Sequence, residues 1–163
     1  MTISLKHLSR RAGAALVSLL LLLTLAVSAS AAAVKMSVGV RFWRETGDKE
    51  SMADSAVDTA REATLTRQPN GTFTLELPVK QISSMNMTGS LTGISIGEVN
   101  YEGTLSGELS NGTAVLTLKN LPASVLTGSD SNQALAVTCS IKMDTILLGD
   151  ITTSARMSVW VER

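Results

Sequence analysis

Ala63-Thr-Leu-Thr-Arg-Gln-Pro-Asn-Gly-Thr-Phe-Thr-Leu-Glu-Leu-Pro-Val79 decides how the rest of the chain is read. Apolar and polar residues alternate on both sides of Asn70-Gly71, which is the period of a half-buried strand rather than of a helix. Asn-Gly between two alternating runs marks a hairpin, with a type I′ turn as the expected connection. The device recurs further on. Tyr101-Glu-Gly-Thr-Leu-Ser-Gly-Glu-Leu-Ser precedes Asn111-Gly112, and Thr-Ala-Val-Leu-Thr-Leu follows it. Shared turn chemistry accounts for this pair, and no longer period indicates repeat architecture. Both turns are also Asn-x-Thr triplets, as is Asn86-Met-Thr88, so turn geometry competes with glycosylation as their explanation.

Working outward, Met36–Phe42 alternates with apolar residues at even positions. Ile82–Ile96, Gln133–Met143 and Arg156–Glu162 supply further strands. About eight strands at this turn spacing predict an immunoglobulin-like antiparallel β-sandwich, with a small barrel as the alternative. One stretch breaks the period. Lys49–Ala60 is small, acidic and Ala-rich, and Ser51–Ala56 within it reads as a short helical turn. It offers a thioether, Met52, beside a hydroxyl, Ser51. A lip over an apolar groove and a plain crossover between strands both fit it.

Residues 1–33 read as a secretory signal peptide, leaving 34–163 as the domain. Lys6, Arg10 and Arg11 form a basic start, Ala14–Val27 an apolar run, and Ser28–Ala33 a small-residue cleavage region near Ala31–Ala33. The expected product is secreted or associated with the cell surface, with no membrane attachment after cleavage. A retained anchor is the alternative, because Ala12–Ala33 is long enough to span a bilayer. Lys6, Arg10 and Arg11 are three of the 14 basic residues, and the leader holds no acid. Residues 34–163 therefore carry 11 Lys/Arg against 14 Asp/Glu, a net charge of −3. That argues against nucleic acid as a partner. The single histidine, His7, also leaves with the leader. Catalytic triads and the common zinc sites are then excluded. Cys139 has no second cysteine to pair with and reads as a small buried hydrophobe. The acids around Lys49–Ala60 follow no calcium-loop spacing and read as a solvated face, so no enzymatic activity is expected.

Met85 and Met87, at i and i+2 on a strand, face one side. Met143 and Met157 stand near the last hairpin. Methionines in a chain this poor in aromatics either fill the core or line an adaptable apolar surface.

The chain resembles the NEAT (near-iron-transporter) domains, immunoglobulin-like modules with which Gram-positive bacteria bind and pass haem. Four segments carry the resemblance, which runs from Lys35 to Glu162. They are Lys49-Glu-Ser51-Met52-Ala53-Asp-Ser55, similar to the family's Ser-Met-Ala lip; the Asn70-Gly71 hairpin; Met85-Asn-Met87-Thr-Gly-Ser-Leu; and Ala155-Arg156-Met157-Ser-Val-Trp160. The resemblance implies a secreted haem-binding or haem-transfer protein of bacterial iron acquisition. Ser51 would bond a propionate, and Met52 and Ala53 would pack on the porphyrin. Met143, Met157, Met85 and Met87 would line the groove, Met143 and Met157 being the candidates for the iron. The family's tyrosinate pair would fall at Gly149 and Thr153, and neither is tyrosine. Tyr101, the only tyrosine, stands in another hairpin. That departure implies the alternative, a NEAT-like module that binds a haemoprotein such as haemoglobin, or a host or cell-surface partner protein, without holding haem.

Overall fold

The computed structural model describes residues 32–84, 87–144 and 149–162. Contacts divide the chain into Met1–Ala32 and Ala33–Arg163, and the fold below is that of the second unit. The signal-peptide reading of 1–33 and the side chain of Met85 lie outside the described residues, and only the backbone of Met87 is described.

The chain is all-β. Its strands are β1 (Val34–Arg44), β2 (Ala63–Arg67), β3 (Phe73–Pro78), β4 (Ile82–Ser84), β5 (Met87–Ile96), β6 (Val99–Glu102), β7 (Thr104–Ser106), β8 (Val115–Leu121), β9 (Leu135–Met143) and β10 (Asp150–Val161). Among the described residues three 3₁₀ turns interrupt them: η1 (Met52–Ala56), η2 (Ala123–Val125) and η3 (Ser131–Gln133). Every strand pairing is antiparallel, in the order β4-β5-β9-β10-β1-β2-β3-β8-β7, with β6 also beside β5.

β1 makes this continuous order into two layers. Its first half, Val34–Val38, pairs with β2, and its second half, Val38–Arg44, pairs with β10. At the crossing, Gly39 stands opposite Trp160, and a Cβ on Gly39 would run into the indole. The inner positions of both layers form one core. Phe42, Leu65, Leu75, Leu77, Leu116, Leu118, Ile141 and Met157 are essentially inaccessible.

Among the described residues, ten strands replace the expected eight. The run expected from Tyr101 onward breaks into β6 and β7 at Gly103. There the chain passes from one layer to the other, and the Leu116 side chain fills the place of a Cβ. The Gly103 N–H donates to the Thr92 carbonyl at 2.8 Å, which seals that side.

The Asn-Gly turns also differ from type I′. The Gly71 N–H donates to the Gln68 carbonyl (3.0 Å), and the Gln68 N–H to the Thr72 carbonyl (2.8 Å). Gly71 has φ +83°, while neither Pro69 nor Asn70 has a positive φ. This is a type I turn closed by a glycine bulge, which suits Pro69 at its first corner. The Asn70 side-chain Oδ1 accepts from the Thr72 N–H and hydroxyl, and Asn111 repeats this with Thr113.

Candidate functional site

The segment after β1 is built into the edge of the sandwich. The Arg44 N–H donates to the Lys49 carbonyl and the Ser51 N–H to the Phe42 carbonyl, both at 2.8 Å. At its far end the Asp58 N–H donates to the Pro78 carbonyl (3.0 Å), and the Lys80 N–H to the Ala56 carbonyl (2.8 Å). Between these fastenings, η1 closes the gap between β1 and β3, and it turns Ala53 and Ala56 wholly into the core. Small residues are required because the turn lies directly on the packed interior. Met52, by contrast, points outward and is 51% exposed. The Ser51 hydroxyl is buried and accepts from the Ala53 N–H at 3.3 Å as the cap of η1.

The sequence places Asp54 among the acids of a solvated face; in the structure it is partly buried and anchors the lip. Its Oδ1 accepts the Phe42 N–H at 2.7 Å. Burial, partly offset by that bond, raises its carboxyl above the ordinary carboxylate range. A raised folded-state pKa means that the folded chain holds its proton longer than the unfolded chain. Stability should therefore fall as pH rises from about 4 through the folded pKa. Asp54→Asn keeps an oxygen for Phe42 and removes the desolvated charge. The variant is expected to lose this pH dependence and to be at least as stable as the parent at neutral pH. Urea midpoints at acid and neutral pH measure it; a variant that unfolds earlier at neutral pH and keeps the slope would refute the assignment.

Opposite the lip, β9 and β10 project beyond the end of β1. The register of β1 with β10 stops at Arg44 and Ala155, so Asp150–Ser154 has no β1 neighbour. On the inner face of this hairpin, burial decays outward. Ala155, Met157 and Val159 are buried, while Thr153 and Ile151 are only partly covered. On β9, Ile141 is buried and Met143 partly covered. Met143 faces Gly89 of β5, and its sulfur lies 2.8 Å from where a Cβ at 89 would stand. Met143 and Ile151 thus form a partly covered apolar edge of the core, a mouth between the projecting hairpin and the start of β5, an element η1 also touches. Ile151 and Gly89 of this mouth were missed in the sequence. The signal for Ile151 was its place in the alternation Ile151, Thr153, Ala155, Met157.

Met157 does not belong to the mouth. It is fully buried opposite Phe42, because its strand position lies inside the stretch that β1 covers. The two iron candidates of the sequence reading are therefore separated: Met143 reaches the mouth, and Met157 fills the core. Tyr101 packs against the core beside Ile94, at the far end of β5 from Gly89. Cys139 is buried, and burial pushes its thiol up to about 12, so no thiolate is on offer at neutral pH. On its charged flank the lip borders a cavity of about 550 Å³ whose lining includes Arg41, Arg44, Glu50, Met52, Asp54 and Lys80.

These features define an immunoglobulin-like β-sandwich with a capped lip and a projecting final hairpin. Its fold is similar to that of a single-residue variant of the NEAT5 domain of IsdX2, solved in complex with haem. The TM-score is 0.51 at 8% identity, over 80% of this chain and 97% of that one. The NEAT5 domain of IsdX2, a Bacillus anthracis hemophore also solved with haem, aligns at a TM-score of 0.49 and 9% identity, over 80% of this chain and 98% of that one. The fold is NEAT-like. No protein-family model matches the chain, and no curated protein does.

Proposed function

We propose that this protein is a secreted, non-enzymatic haem-handling module of bacterial iron acquisition, and that haem is its cargo. The observation that carries the reading is the partly covered apolar edge of the β9–β10 hairpin where it projects beyond the end of β1, the strand from which the lip follows. Met143 and Ile151 offer an apolar wall there, and Met52 an exposed thioether on the lip. Such a mouth suits a flat apolar ring, with methionine contacts adding to burial. The haem-bound state of the structurally similar NEAT5 variant supports the same ligand class.

The donor set fits the porphyrin better than the iron. Phenolate, imidazole and thiolate are the usual strong ligands. The tyrosine positions hold Gly149 and Thr153, and Met143 leaves only a thioether. Affinity would come mainly from ring burial, which favours rapid exchange with a partner over long retention. Ser51 accepts from the Ala53 N–H, which leaves its hydroxyl proton to donate to a propionate. Met85 and Met87 complete the proposed lining.

Titration of the Ala33–Arg163 unit with hemin tests this. A saturable Soret shift at micromolar hemin is expected, weakened by Met143→Ala and by Met52→Ala. An unshifted, unsaturating spectrum would reject it. The missing tyrosines at Gly149 and Thr153 favour the second reading, a haemoprotein-binding or surface-binding module without haem. Capture of haemoglobin by a chain that gives no Soret shift would establish that reading instead.

A further inference from the structure

β1 has a gap in its hydrogen bonding that lies away from the mouth. The even residues of its second half direct their N–H and C=O groups away from β10. Phe42 shows this through its bonds to Asp54 and Ser51, and Arg44 through its bond to Lys49. Val40 has the same orientation. Its partner Val159 turns its own groups to Thr127, whose N–H reaches the Val159 carbonyl (3.0 Å) and whose hydroxyl accepts the Val159 N–H (3.1 Å). Pairing with β2 ends at Val38 and Ala63, and the lip's bonds begin at Phe42. Between them the Val40 N–H and C=O find no partner among the described residues, although Val40 is only 7% exposed. More than nine in ten buried backbone groups are paired. This donor and acceptor therefore depend on a partner from outside the chain, solvent in the open gap or a ligand that displaces it.

The gap is also a cavity. About 370 Å³ separates Gly39–Arg41 from Thr59–Ala63, with Trp160 as one wall. The two arginines on its rim are already engaged. Arg61 donates to the Gly112 and Ala114 carbonyls at 2.5 and 3.0 Å, and Arg41 pairs with Glu50 at 3.3 Å. The carboxylates of Glu62 and Glu162, also on the rim, are exposed and have no ion-pair partner among the described residues.

We propose that this gap docks an extended peptide segment of a partner protein, carrying a basic side chain. One peptide residue would exchange both its N–H and its C=O with Val40, as a neighbouring strand does. Its side chains would lie against the Trp160 indole and between Glu62 and Glu162. Backbone pairing supplies affinity here, and the free carboxylates supply the preference for a basic partner. The site shares Arg41 and Thr59 with the lip cavity, so a docked segment would lie next to the lip. It does not depend on haem, and its test is separate.

Three synthetic octapeptides added to the nitrogen-15-labelled Ala33–Arg163 unit provide that test. One alternates Lys and Val, one alternates Glu and Val, and one is the Lys/Val peptide with its backbone nitrogens methylated. Expected is a saturable shift of the Val40 amide and the Trp160 indole with the Lys/Val peptide alone. Changing both Glu62→Gln and Glu162→Gln should weaken it about tenfold while leaving the free spectrum folded. In the peptide-free chain the Val40 amide should exchange with solvent faster than that of Phe42. No saturable shift, equal binding of the methylated peptide, or a Val40 amide as protected as Phe42 would each overturn the proposal.

Discussion

Phe42→Ala should cost about 3–5 kcal/mol of folding stability, as truncation of a fully buried aromatic does. Phe42 is wholly inaccessible, faces Met157 across the β1–β10 pair, and belongs to the single core that both layers share. Its backbone also binds Asp54 and Ser51, so the same residue anchors the lip. Total stabilities run only about 5–15 kcal/mol, so the variant should unfold well below the parent's urea midpoint with little change in slope. Met157→Leu, which conserves volume on the other side of that contact, should cost less than about 1.5 kcal/mol. It should also leave any hemin spectrum unchanged. A Soret band altered by Met157→Leu would place Met157 at the iron and contradict its assignment to the core. A Phe42→Ala variant as stable as the parent would mean that the two layers do not share one core.

The layered β architecture was legible because it follows from period-two patterning and turn residues, both local. The lip was legible for a related reason. Lys49–Ala60 breaks the period with small residues, and Ala53 and Ala56 are small because they sit on the interior. What the sequence could not convey depends on register. Met143 and Met157 occupy inner-face positions of paired strands, and nothing local distinguishes them. One opens to solvent and the other is sealed because β1 stops at Arg44, opposite Ala155. The break of the Tyr101 run at Gly103 likewise depends on Leu116, a residue brought there by folding. The turn at Asn70-Gly71 was placed correctly and typed wrongly. Pro69 at the first corner favours a type I turn, and the bulged Gly71 then supplies the one positive φ the hairpin needs. Arg156 shows the same limit most clearly. In the sequence it is only one residue of the last strand, and its work is done on three carbonyls distant along the chain.

Arg156→Ala should therefore destabilise by about 2–3 kcal/mol, more than an exposed arginine ordinarily does. Its Nε donates to the Arg44 carbonyl at 3.0 Å, one terminal nitrogen to the Ser131 carbonyl at 2.7 Å, and the other to the Gly47 carbonyl. Ser131 in turn donates its hydroxyl to Asp48 at 2.7 Å. One planar fork thus ties the end of β1, the loop that leads into the lip, and η3 to the last strand. A lysine has the charge but not the fork, so Arg156→Lys should recover less than half of the loss. The damage should also be local in its first effect. Amides of residues 45–50 should exchange faster, and Met52 should lose its fixed position while the core strands remain protected. Under the haem reading, hemin affinity then falls with Arg156→Ala even though Arg156 touches no part of the mouth. Unchanged exchange in 45–50 together with unchanged stability would show that the three carbonyls are held by something other than this side chain. A uniform rise in exchange across all strands would mean that Arg156 supports the whole sandwich and not the lip in particular.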